Sequence, residues 1–413
     1  MPMTYDDFKQ LRMSLDMSRG KPSPEQLDLS RTLLDEASRA GFHSRDGIDC
    51  RNYGQSLGLP EAREFGAALL DVGAEQVIAA GNSSLELMYD ALSFAMLSGV
   101  PGGDAWCQRD EVAFLCPVPG YDRHFAICEA LGIRMIAVPM CDDGPDMDFV
   151  ETQVRDNAAI KGIWCMPLYS NPGGTIYSAQ TVRRLAAMPA AAPDFRLFWD
   201  DAYRFHHLTD ERHATPNIVT ECAQARHADR ALVFASLSKV TWAGSAVAFL
   251  ASSQRNVAWF QQRAGVRTIG PDKLNQLRHV RMLRDVAGVE ALMAKHRALL
   301  QPKFDAVATA FGDLLADVPG VTWNEPAGGY FISLYAPPGR AKRTVALAAE
   351  AGLVLTPAGA AFPYGHDPDD RHMRIAPTYP SLNEVWLAAQ GIALSLRRAV
   401  EETAQHPATC NET

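Results

Sequence analysis

No stretch of this 413-residue chain approaches the roughly 20 consecutive apolar residues that a membrane-spanning helix needs, so a membrane protein is not expected. None of its eight cysteines stands in a CxxC pair, and several, such as Cys116 and Cys165, sit inside apolar runs. That pattern points to buried thiols in a reducing, cytoplasmic compartment, with no metal site. Positive charge is also short: 39 Lys and Arg face 48 Asp and Glu, a net charge of −9. Such a balance argues against non-specific binding to nucleic acid or an anionic membrane, but it leaves room for an anionic small substrate in a local basic pocket. The opening segment "MPMTYDDFKQLRMSLDM" lacks the apolar centre of a secretory signal. Internal repeats and low-complexity tracts are absent. What remains is 47% hydrophobic and 21% charged, the composition of a globular protein with a large core.

Short apolar runs alternate with helical stretches through the middle of the chain. The runs fall at 76–80, 111–119, 134–140, 160–169, 195–203, 231–239 and 245–253. Most are apolar without clean alternation, as in strands covered on both faces. Helical segments such as 83–99 and 178–189 lie between them, which predicts an α/β fold with a seven-stranded, mostly parallel sheet flanked by helices. The last two runs are close enough to form an antiparallel hairpin. Beyond residue 255 the texture changes to a long helical region at 272–315, with a Gly-Val interruption at 288–289, followed by a smaller α+β block. The expected division is a large domain at 46–290 and a small domain made of 1–45, as an N-terminal arm, with 291–413.

In open α/β sheets, ligands sit at the carboxyl ends of the strands. Here those ends carry Asn171 in "YSNPGG", Asp200 and Tyr203 in "DDAYR", and Ser236 and Lys239 in "SLSK". The first strand opens into "GNSSLEL", where Asn82, Ser83 and Ser84 begin a helix. That helix start is either a phosphate cradle or a plain N-cap. A carboxylate can hold a ring nitrogen protonated, a Tyr and an Asn can share a phenolate oxygen, and a lysine can form a Schiff base. Together these groups describe a site for pyridoxal 5'-phosphate.

At these residues the chain resembles the fold-type I, class I pyridoxal-phosphate aminotransferases. "DDAY" contains the family's D-x-A-Y, "NPGG" its N-P-x-G and "SLSK" its S-x-S-K. The resemblance implies Asp200 at the pyridine nitrogen, Tyr203 and Asn171 at the ring hydroxyl, Lys239 as the Schiff-base lysine and Ser236 on the phosphate. "PGYDRH" places Tyr121 against the ring, and "MRIAPT" makes Arg374 the binder of the substrate carboxylate. "SRGKPS" makes Gly20 the point where backbone approaches the substrate, and "NYGQSLGLPEAR" makes Tyr53 a residue reaching the partner subunit's phosphate. A homodimer with shared active sites, acting on an amino acid and a 2-oxo acid, follows from the same resemblance.

One family feature is missing. Eight residues after Lys239, where the family carries a phosphate-binding arginine, stands Val247, and 240–251 holds no basic residue. Lys273 in "RTIGPDKLNQ", reaching from the partner subunit, or the neighbouring Arg267 is the expected replacement. This gap, with the segments around it, resembles the MocR-like stand-alone aminotransferases, an aspartate aminotransferase subgroup. With Gly20 so early in the sequence, no winged-helix domain is expected ahead of it. The subgroup implies L-aspartate and 2-oxoglutarate, with Arg19, Lys21, Arg123 and Arg204 as candidate readers of a distal carboxylate. An aromatic or broad-range aminotransferase, a C–S lyase on the same fold, and a non-catalytic sensor of the cofactor are the alternatives.

Overall fold

The computed structural model describes residues 3–39 and 41–405. A short strand, β1 (Leu15–Asp16), lies in the N-terminal arm. The seven apolar runs, with the added β5 (Gly144–Pro145), then give β2 (Val77–Ala79), β3 (Ala113–Val118), β4 (Arg134–Cys141), β6 (Ile160–Cys165), β7 (Arg196–Asp200), β8 (Ala231–Ser236) and β9 (Ala248–Ala251). They form one eight-stranded sheet in the order β2-β9-β8-β7-β6-β3-β4-β5. The strands from β8 across to β4 run parallel, and β9 lies antiparallel to both β8 and β2. The eighth strand is one more than expected. It is the two-residue β5, which turns back on β4 to pair Met140 with Pro145 and Cys141 with Gly144. A strand of this length has no apolar pattern to betray it.

Every residue of β6 and β7 is buried, because helices cover both faces of the sheet. Successive side chains feed opposite layers. Leu197 and Trp199 join one apolar cluster, while Phe198 joins the other and stacks on Phe234 at 5.6 Å. Three strands stop earlier than their apolar runs: β6 at Cys165, β7 at Asp200 and β8 at Ser236. Beyond the end of the ladder, Ser236 Oγ accepts the Ser238 N–H and turns Leu237–Lys239 into a 3-10 turn. Those early stops create the loops of the site.

The long helical region divides into Lys273–Leu283 and Val286–Leu315. The break falls at Arg284, whose φ is 67°, and at Asp285, rather than at 288–289. Asp285 caps the second helix by accepting the Gly288 N–H. A Cβ on Gly288 would lie 1.8 Å from Leu283 O, so only glycine lets the two helix ends meet.

Strands β10 (Thr322–Trp323), β11 (Ile332–Tyr335), β12 (Leu353–Val354) and β13 (His372–Ile375) build the remaining sheets. β10, β11 and β13 are antiparallel neighbours, and β12 pairs in parallel with β1. The pairing draws the N-terminal arm into a second core, where Tyr5, Phe8 and Met17 pack with Phe311, Leu334, Val385 and Ile392. The helix Val286–Leu315 serves both cores, through Val289 and Leu292 at one end and Phe304, Val307 and Phe311 at the other. Among the described residues no helix is long and apolar enough to cross a membrane.

Burial pushes several imidazoles down: His206 to about 3, and His279, His296 and His372 to about 4. Between those values and the ordinary 6.5 of an unfolded chain, the unfolded state binds more protons than the folded one. Stability therefore falls as the pH drops through that window. The melting temperature is expected to hold near neutrality and drop steeply from about pH 6 to 4. A melting temperature that stays flat to pH 4.5 would contradict it.

Candidate active site

Strand ends and the N-terminal arm enclose a cavity of about 710 Å3. Asp200, the last residue of β7, is 3% exposed and forms part of its wall. One carboxylate oxygen, Oδ2, sits 3.1 Å from His124 Nε2. The other, Oδ1, is buried and has no partner. His124 belongs to the helix Asp122–Ala130, and its ring lies flat on Trp164 at 4.2 Å and 7°. With its ring so fixed, the imidazole holds one edge of the carboxylate and leaves the other edge for a cationic N–H.

Lys239 closes the turn after β8 and also lines the cavity. Burial pushes its amine below the ordinary lysine value, against a smaller upward pull from Asp200. The ammonium lies 5.1 Å from the centre of the Tyr203 ring. Its backbone is pinned from behind: the Lys239 carbonyl meets His206 Nε2 at 3.3 Å and accepts from Tyr330 at 3.4 Å. Tyr330 accepts in turn from Gln26 of the N-terminal arm at 3.1 Å. Tyr203 is 2% exposed, and burial raises its phenol well above the ordinary value. Burial likewise pushes Tyr121, which begins the helix Asp122–Ala130, up to about 12, with Asp200 and Asp122 adding to it.

Asn171 follows β6, and its Oδ1 is 3.5 Å from Arg374 Nη1. Arg374, on β13, is 8% exposed. Its Nη1 also meets Asp122 Oδ1 at 2.7 Å, its Nη2 reaches Thr356 Oγ1 at 3.4 Å, and its Nε is buried without a partner. Gly20 lines the cavity where the Phe331 ring packs; a Cβ there would sit 2.4 Å from that ring.

At the other end, Asn82, Ser83 and Ser84 line the cavity ahead of the helix Ser84–Ser98. Ser83 Oγ accepts the Glu86 N–H as N-cap. That leaves the first-turn N–H groups of Ser84 and Leu85 for an anion, at the positive end of the helix dipole. Ser238, rather than Ser236, is the serine of the lysine turn on the wall. Ser236 Oγ instead donates to Asn82 O at 2.9 Å, tying the end of β8 to the cradle. An anion cradle, a buried carboxylate with one open edge and a buried amine within one cavity fit pyridoxal phosphate.

A family model for aspartate amino-transferases matches residues 1–406. The chain belongs to the aspartate amino-transferase family. It is a pyridoxal-phosphate aminotransferase, and its fold is theirs. An aspartate aminotransferase of Corynebacterium glutamicum is 44% identical over 399 residues, covering 96% of this chain and 92% of that protein. The crystal structure of an aspartate transaminase from the same organism superposes with a TM-score of 0.94, covering 96% of this chain and 94% of that one. An alpha-aminoadipate aminotransferase from Thermus thermophilus, bound to N-(5'-phosphopyridoxyl)-L-leucine, shares the fold at a TM-score of 0.78 and 20% identity over 97% of this chain and 96% of that one.

Several residues of the aminotransferase stand apart from the expected arrangement. Lys273 is 3% exposed, and its ammonium donates to Asn52 O at 2.5 Å and to Gly54 O at 3.2 Å of its own chain. Its reach is thus spent beneath the loop that carries Tyr53, not at a phosphate. Arg267 pairs with Glu86 at 3.0 Å and Asp90 at 2.6 Å, and Val247 is buried in the core. Tyr53 is 83% exposed and does not line the cavity of its own chain. Arg204 is held by Asp201 at 2.6 Å away from the cavity, whereas Arg19, Lys21 and Arg123 line it. Replacing Lys273 with methionine is expected to lower the melting temperature, by about 1–3 kcal/mol of lost stability, and to speed amide exchange across 52–58. Unchanged exchange there would refute the anchoring role.

Sequence reading passed over His124 and Asp122. Both lie in the quoted "PGYDRH", and His124 follows Tyr121 by three residues, the spacing that brings side chains to one helix face. Their partners, Asp200 and Arg374, are 76 and 252 residues away, so only the folded chain shows the pairs.

Proposed function

We propose that this aminotransferase moves an amino group from L-aspartate to 2-oxoglutarate in two half-reactions. The observation that carries the site assignment is the Asp200 carboxylate, buried, held at one oxygen by His124 and open at the other, in the cavity that contains Lys239. The choice of aspartate rests on the relative of that name at 44% identity and on the Arg19, Lys21 and Arg123 cations available for a second carboxylate.

Bound pyridoxal phosphate supplies an electron-accepting ring for the pair left behind when a proton leaves the substrate Cα. The chain's own groups do the rest. The first-turn N–H groups at Ser84 and Leu85, with Asn82, Ser83 and Ser238, would receive the phosphate. Asp200 would set a negative charge against the ring nitrogen's proton, Tyr203 and Asn171 would serve the ring oxygen, and Tyr121 would pack on the ring. Arg374 takes the substrate α-carboxylate, and Gly20 keeps the approach clear. Lys239 would carry the cofactor and, once freed as an amine, would take up the Cα proton; burial, which pushes its amine below the ordinary lysine value, favours the neutral form that this task needs.

A homodimer with Tyr53 completing the neighbouring site suits the exposure of Tyr53 beside Val266 (91%) and Ile269 (64%). Lys273 then serves that site by fixing the Tyr53 loop. The same reading includes membership of the MocR-like stand-alone subgroup, a cytoplasmic location, and the division at 46–290 against 1–45 with 291–413. The helix Val286–Leu315, which passes from one core at Val289–Met293 to the other from Leu300 on, supports a boundary near 290.

Titrating purified holoenzyme with L-aspartate while recording the cofactor's absorbance tests the proposal. Loss of the starting band, and its return with 2-oxoglutarate, is the expected result. Pyruvate and ammonia release would instead mark a lyase, conversion by aromatic amino acids alone a different specificity, and an inert spectrum a sensor.

A further inference from the structure

Asp122 places a carboxylate of the protein on the arginine meant for the substrate's. Its Oδ1 is 2.7 Å from Arg374 Nη1, and of the two side chains the acid is the accessible one, 30% exposed against 8%. We propose that Asp122 is a displaceable placeholder: it occupies Arg374 while the site is empty and gives way to the α-carboxylate of each incoming substrate. This inference rests on Arg374 receiving that carboxylate.

The geometry favours exchange. Arg374 is poorly served by the protein's own groups. Nη1 is shared between Asp122 and Asn171, Nη2 has only a 3.4 Å contact to Thr356, and Nε has no partner at all. Asp122 contacts one nitrogen only, whereas a substrate carboxylate presents two oxygens to the fork and gains a second charge-assisted hydrogen bond. Asp122 also has somewhere to go. It is the first residue of the helix Asp122–Ala130, where free N–H groups and the helix dipole favour a negative charge, and Arg123 stands next to it on the cavity wall.

A two-stage amino transfer gives the placeholder a purpose. Each cycle empties the site twice, once after each keto or amino acid leaves. A largely buried guanidinium without a counter-charge is costly at those moments. Asp122 holds Arg374 neutralised and aimed toward Asn171, at the expense of competing with every substrate.

Asp122→Asn removes the charge and keeps the size. The holoenzyme variant is expected to show a KM lowered about fivefold for both the amino acid and the 2-oxo acid, since a partly exposed ion pair is worth about that factor, with kcat/KM rising in step. The dissociation constant for an unreactive carboxylate such as maleate, read from the cofactor's absorbance, should fall by the same factor. A raised KM or weaker maleate binding would show a fixed buttress for Arg374 and overturn the proposal, as would unchanged values. Asp122→Ala, with cofactor content and melting temperature recorded, separates a folding defect from either result. Should L-aspartate fail with the wild type, the aminotransfer reading for that substrate fails alone. The placeholder is then judged with whichever amino acid converts the wild-type cofactor.

Discussion

Replacing Lys239 with alanine is expected to cut kcat by at least about 10^4-fold, because one side chain carries two tasks, covalent hold on the cofactor and proton transfer at Cα. The amine is placed for both. It lies in the cavity wall 5.1 Å from the Tyr203 ring, and its backbone carbonyl is gripped by His206 and Tyr330, so the turn cannot drift when the side chain is freed. Burial depresses the amine below its ordinary value. Its removal therefore relieves a desolvation cost, and the variant should be no less stable than the wild type. Single-turnover absorbance with L-aspartate measures the loss. Added methylamine should restore a small part of the rate, since it returns a free base to the vacated space. A residual kcat within about 100-fold of wild type, at the low end for general base catalysis alone, would remove Lys239 from the chemistry.

Asp200→Ala is expected to lower kcat by about 10^3-fold and to weaken cofactor binding by about 1.5–3 kcal/mol, the worth of a hydrogen bond to a charged partner. The carboxylate is 3% exposed, so its charge acts through little intervening water, and His124 holds one oxygen so that the other stays aimed. Alanine removes that charge and leaves His124 without its acceptor inside the protein. Asp200→Asn keeps the shape and loses the charge, so it separates packing from electrostatics. If Asn retained most of the activity, the carboxylate would be a structural partner of His124 and no more. Cofactor affinity by absorbance titration and kcat by coupled assay give the two readings.

Much of the sheet was legible because parallel strands covered on both faces need unbroken apolar runs. All seven runs became strands of one sheet. Their ends were less legible. The runs 160–169, 195–203 and 231–239 continue in apolar residues past the points where the ladders stop, since those residues line a cavity or a second core rather than pair. Asp200, Lys239, Asn171 and Tyr203 were readable because the chemistry of a cofactor site demands particular residue types at strand ends, Arg374 only through the family resemblance of "MRIAPT", and the fold gathers all five around one cavity. Ser236 and Lys273 show the limit of such reading. Each is the right residue type in the right segment, yet Ser236 bonds the Asn82 carbonyl and the Ser238 N–H, and Lys273 the Asn52 and Gly54 carbonyls, all backbone groups of its own chain.

The sequence by itself determined the architecture and the inventory of reactive groups, because apolar periodicity and local turn chemistry act over a few residues and leave their mark in the order of the chain. Tertiary structure alone decided which groups meet. His124 on Asp200, Asp122 on Arg374 and Gln26 behind Lys239 are pairs brought together across the sheet or between the two cores. Coulomb and hydrogen-bond interactions depend on distances of a few ångströms in space, and separations of tens or hundreds of residues along the chain carry no information about them.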